Sequence, residues 1–105
     1  MKIKDITSYL ESIAPLSYQE SYDNSGLIVG NSNDVVNKIL ISLDCTEDVV
    51  QEAIDKGCDL IISHHPIVFK GLKRFNNANY VERTVIKAIK NNIALYAIHT
   101  NLDNV

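Results

Sequence analysis

A chain of 105 residues with 46% hydrophobic content fits one domain around a single modest core. No apolar run is long enough to cross a membrane, and the opening MKIKDITSYLESIAP lacks the continuous apolar stretch of a signal peptide. A cytoplasmic location is therefore expected, and a net charge of −3 without a Lys/Arg stripe argues against a nucleic-acid backbone as partner.

Ile3, Ile6, Leu10 and Ile13 recur at helical spacing, which predicts a first helix ending before Pro15. The polar stretch that follows reaches Asp23-Asn24-Ser25-Gly26, whose side chains favour a turn. Leu27-Ile28-Val29, closed by Gly30, reads as a short strand, and Lys38 to Asp44 reads as a second. Thr46 suits a helix N-cap, with Glu47 and Asp48 at the positive end of the helix dipole. Val49, Val50, Ala53 and Ile54 form its apolar stripe, and Gly57 is a natural stop.

Asp59 to Ser63 is a third strand, halted where Pro66 cannot donate to a ladder. Residues 67–79 read as a long loop. Val81, Val85, Ile86 and Ile89 mark another helix, ended by Asn91-Asn92, and Ile93 to Ile98 is the fourth strand. Strand and helix alternate from 38 to 98, and runs such as Leu60-Ile61-Ile62 suit strands covered on both faces. That order predicts an α/β fold with a mostly parallel sheet flanked by helices. Cys45 and Cys58 stand at the ends of apolar segments outside any CxxC pair, and read as buried reduced thiols.

Unusual residues collect at three strand ends: Asp44, the pair His64-His65, and the segment His99 to Asp103. If the strands are parallel, these ends share the carboxyl edge of the sheet, where open α/β folds bind ligands. Neutral imidazole nitrogens and a carboxylate oxygen suit a divalent transition metal, and a carboxylate such as Asp103 could bridge two ions. Blander readings exist for each residue taken singly. A histidine at a strand end is commonly a hydrogen-bonded structural residue, and His99 with Asp103 also fits a loop cap. Asp44 is read as a cap of the following helix, and Asp23-Asn24 as a turn.

In order along the chain, YDNSGLIVG, ISLDCTEDVVQEAIDKGCDLIISHHPIVFKG and HTNLD resemble the motifs of the NIF-three-like dinuclear metal-centre family. Tyr22 stands where that family commonly has Trp. Members are identified as GTP cyclohydrolase I type 2 homologues. The resemblance implies that His64 and His65 are metal ligands, one per ion, and that Asp103 is a further ligand. His99 would be an accessory residue, and His99 or Asp103 would help move a proton in catalysis. The implied cofactors are two divalent ions per full site, zinc, iron or manganese. The implied partners are a small-molecule substrate, such as a nucleotide, and further copies of the chain in a homo-oligomer, a hexameric ring in the family. Family members are more than twice this length and carry a late His and Glu that complete the cage. No H-x-x-x-E pattern occurs here. Residues 1–105 are thus expected to be a single α/β domain or fragment, the N-terminal portion of such a protein. The expected function is a metal-dependent hydrolase, with a non-catalytic metal-binding or protein-interaction module as the alternative.

Overall fold

Local capping chemistry sets the helix boundaries. The computed structural model describes residues 1–15, 26–65 and 74–98. Helix α1 (Ile3–Ile13) begins where the Asp5 carboxylate accepts from the Lys2 backbone N–H at 2.9 Å. In α2 (Glu47–Lys56) the Thr46 hydroxyl accepts from the Val49 N–H at 3.2 Å, and Gly57 ends the helix in the left-handed region at φ 70°. Helix α3 (Tyr80–Lys90) starts at Asn79, whose side-chain carbonyl accepts from the Glu82 N–H at 3.0 Å. The Glu82 carboxylate is buried, and it accepts in turn from the Asn79 amide at 2.8 Å and the Asn76 backbone N–H at 3.1 Å. The end of the expected 67–79 loop is therefore a built helix cap. Residues 66–73 lie outside the described residues, as do the expected turn at Asp23-Asn24-Ser25 and the break at Pro66.

Strands β1 (Gly26–Val29), β2 (Ile39–Ser42), β3 (Leu60–Ser63) and β4 (Ala94–Ala97) form one sheet in the order β1-β4-β3-β2. The two β-α-β units make β2, β3 and β4 parallel, with Ser42 opposite Ser63 and Ser63 opposite Ala97. Strand β1 runs antiparallel to β4, with a shift in register between Leu27 and Val29. The sheet is thus mixed rather than mostly parallel. The reason is connectivity: no crossover helix joins β1 to its neighbour β4, so nothing forces the two to run the same way.

Helices α2 and α3 cover one face, where Val50, Ala53 and Ala88 pack with Ile61 and Leu95. On the other face α1 contributes Ile3, which packs with Val36, Leu60, Ala94 and Tyr96. Coverage is uneven. Strands β3 and β4 are buried throughout or nearly so, but Ile41 of edge strand β2 is 78% exposed. Of the predicted helical stripes, Ile13 and Ile89 also lie exposed at the surface. Both cysteines are buried and unbonded, as their context suggested. Gly30 (φ 123°) lets β1 turn away beside β4: a Cβ there would stand 2.7 Å from the Ala94 Cβ. Among the described residues no helix is long and apolar enough to cross a membrane.

Candidate metal site at the carboxyl edge

The parallel register carries on past the ends of the strands. His64 donates its backbone N–H to the Ser42 carbonyl at 3.2 Å, and His65 donates to Leu43 at 2.9 Å. On the other side, Ile98 donates to the Ser63 carbonyl at 2.9 Å. The serines that end β2 and β3 then fold the chain onto itself. The Ser42 hydroxyl donates to the Asp44 carbonyl at 2.7 Å, and the Ser63 hydroxyl donates to the His65 carbonyl at 3.0 Å. Both histidines therefore sit on backbone fixed by neighbouring strands rather than on a free loop.

Their side chains are fixed as well. His64 Nδ1 lies 2.8 Å from the Ile98 carbonyl oxygen, and His65 Nδ1 lies 2.5 Å from Asp44 Oδ1. A carbonyl or an ionised carboxylate can only accept, so Nδ1 carries the proton in each ring. In the neutral imidazole the lone pair then belongs to Nε2. The ring centroids are 5.2 Å apart, with the planes tilted by 43°. The His65 side chain is 44% exposed and that of Asp44 58%, so water screens the pair and ions can reach it.

This is the arrangement a histidine ligand needs. Ligating imidazoles typically donate their second ring N–H to a carboxylate or backbone carbonyl, which fixes tautomer and orientation. The residues present fit a divalent cation held through Nε2 of His64 and His65. Among the described residues no group of three or more His, Cys, Asp or Glu side chains gathers into a cage. Asp103 and His99, the other expected site residues, lie outside the described residues.

The expected role of Asp44 is corrected. Thr46, not Asp44, caps α2, and the Asp44 carboxylate serves His65 instead. A signal exists only once the register is known: extending the Ser42–Ser63 pairing by two residues brings Asp44 opposite His65. The Ile98 carbonyl had no such signal, because a backbone acceptor carries no mark of residue type. Tyr96 was also unremarked. Its hydroxyl is buried without a hydrogen-bond partner among the described residues, and burial, with the nearby Glu11 carboxylate, raises its pKa.

Fold and edge together define an α/β chain that carries adjacent, anchored histidines at the carboxyl end of a central parallel strand. The family model described as Duf34/NIF3 (NGG1p interacting factor 3) matches residues 1–105, and the chain belongs to that family. It is 46% identical over 105 residues to a protein of Clostridium acetobutylicum named GTP cyclohydrolase 1 type 2 homolog, covering 100% of this chain and 39% of that one. A Staphylococcus aureus protein of the same name (strain N315) is 47% identical over 103 residues, with 98% and 28% covered. The crystal structure of Staphylococcus aureus protein SA1388 superposes with a TM-score of 0.92 at 47% identity, covering 98% of this chain and 29% of that chain. Reduced HcgD from Methanocaldococcus jannaschii gives 0.88 at 34% identity, covering 98% and 41%. The chain thus spans about two fifths or less of the length of these relatives.

Proposed function

We propose that this chain binds a divalent transition metal through His64 and His65, and that it forms part of a metal-dependent hydrolase. The observation that carries the reading is the paired anchoring of the rings. Two adjacent histidines each direct Nδ1–H to a fixed acceptor, one carbonyl and one carboxylate, which leaves Nε2 as the basic nitrogen of both. Packing alone does not require that arrangement twice in succession at a partly exposed edge.

A bound ion of this kind supplies a Lewis acid and lowers the pKa of water. The chain's own residues supply orientation. Asp44 holds the His65 ring in place, while the Ile98 carbonyl holds His64. Asp103 is proposed as a further ligand, and His99 as the accessory that moves a proton. His64 and His65, whose ring centroids are 5.2 Å apart, would each hold one ion of a two-metal site. Zinc, iron and manganese all suit this donor set. The name shared by the relatives supports a nucleotide substrate, GTP, with water attacking its guanine ring. Further copies of the chain are proposed as partners.

The chain covers only part of each relative, which favours a second reading for these 105 residues alone: a module that binds metal without turnover. One experiment separates the two. The metal-free chain is titrated with zinc and with manganese by calorimetry, then assayed with GTP. Metal binding with turnover that His65→Ala abolishes supports the hydrolase. Binding without turnover supports the module. Metal binding undiminished in a His64→Ala/His65→Ala variant overturns both.

A further inference from the structure

A cavity of about 700 Å³ opens at the amino ends of β3 and β4, within the roughly 300–1,000 Å³ usual for small-molecule sites. It lies at the opposite edge of the sheet from the histidines. Asp59, on its wall, and His64 are five residues apart along β3, or about 16 Å at ~3.3 Å per residue. Whatever occupies it does not touch a metal at His64 and His65.

Its wall is apolar over much of its extent, from Ile28 and Val29 of β1 to Val85 and Ile89 of α3. Three large apolar side chains that the core leaves exposed converge on it: Val35 at 59%, Phe75 at 52% and Ile89 at 56%. They come from three separate segments, so one amphipathic helix does not account for them. Exposed apolar side chains gathered around one concavity mark a binding surface rather than scattered surface residues.

The charged residues on that wall have one sign. Asp34 and Asp59 line the cavity, and among the described residues no lysine or arginine does. Asp59 is held rigidly, because its Oδ2 accepts from the backbone N–H groups of Asn37 at 2.8 Å and Lys38 at 3.3 Å. Both of those bonds fall on Oδ2. The Lys38 ammonium donates to the Lys56 carbonyl at 2.9 Å.

We propose that this cavity binds a small amphiphilic cation, with an aromatic or aliphatic body against Phe75, Val35 and Ile89 and an ammonium group at Asp34 and Asp59. The acids set the sign of the ligand, and the exposed apolar trio sets its body. A purely apolar ligand would leave the negative charge of Asp34 and Asp59 unmatched by any charge on the ligand.

The test uses two probes with one body and opposite charge, 4-phenylbutylamine and 4-phenylbutyrate, titrated into the ¹⁵N-labelled chain. The amine is expected to shift the amides of Ile28, Val29, Gly30 and Ile93, and to bind roughly threefold to tenfold more tightly than the acid. Asp34→Asn should narrow that ratio. Ile89→Lys, which places a cation on the wall at an exposed position, should abolish amine binding while the remaining amide resonances stay in place. Equal binding of the two probes overturns the assignment of a cation. Shifts centred elsewhere, or no shift with either probe at millimolar concentration, overturn the site itself.

Discussion

Replacing Asp44 tests whether the carboxylate behind His65 serves a metal rather than the fold. The pair is a charge-assisted contact of 2.5 Å between partly exposed side chains, 44% for His65 and 58% for Asp44. At such exposure an ion pair contributes about 0–1 kcal/mol to stability, so Asp44→Ala should lower the melting temperature only slightly. Its effect on metal affinity should be larger. Loss of a carboxylate that orients a ligating imidazole weakens binding about 10–100-fold, or ~1.4–2.7 kcal/mol. Solvent screening at this edge places the expected loss near the lower figure. Asp44→Asn keeps an acceptor for Nδ1–H but removes the charge, so it should fall between wild type and Asp44→Ala. The assay is zinc titration by calorimetry at neutral pH, with thermal denaturation of the metal-free proteins as control. Wild-type affinity in Asp44→Ala would refute the reasoning. So would a loss of affinity matched by a comparable loss of stability in the metal-free chain.

The buried thiol gives a pH prediction. Burial pushes the Cys45 pKa up to about 11, so the folded state favours the neutral thiol over its ionised form. That contribution is complete below the unfolded value near ~8.5–9 and is lost as pH rises through about 11. Urea denaturation should therefore show stability falling by about 2–3 kcal/mol more in wild type than in Cys45→Ala over that window; parallel profiles would contradict this. Gly30 and Gly57 should behave differently. Gly30→Ala meets the Ala94 Cβ at 2.7 Å with φ at 123° and should cost about 2–4 kcal/mol, whereas Gly57→Ala meets nothing within 4 Å and should cost about 1 kcal/mol. Equal losses would mean that backbone conformation alone, not the close approach to β4, decides the Gly30 position.

The parts of the fold legible in the sequence are those set by near neighbours. Thr46 and Gly57 bracket α2 because the groups they satisfy, the Val49 N–H and the Ala53 and Ile54 carbonyls, lie within a few residues. Ile3 and Asn91-Asn92 mark helix limits for the same local reason. The direction of β1 was not legible, because its partner β4 lies about seventy residues away and no crossover helix constrains the pairing. Exposure was misjudged where pattern stands in for tertiary contact. Ile41 belongs to an apolar run like that of β3 yet lies exposed on edge strand β2, and Ile89 faces a cavity. At the site, the edge and its histidines could be read from strand order. The use of Asp44 depended on register, and the Ile98 carbonyl depended on folding alone.

The central claim is that His64 and His65 present Nε2 to a metal because Nδ1 is already committed. Long-range ¹H–¹⁵N correlation of the histidine rings measures this directly, nitrogen by nitrogen. At a pH where the rings are neutral, both should show the Nδ1–H tautomer in the metal-free chain, matching the bonds to Ile98 and Asp44. Adding zinc should then move the Nε2 resonances of these two rings and leave Nδ1 protonated. An Nε2–H tautomer in the metal-free chain, or Nε2 resonances unmoved by zinc, would contradict the account.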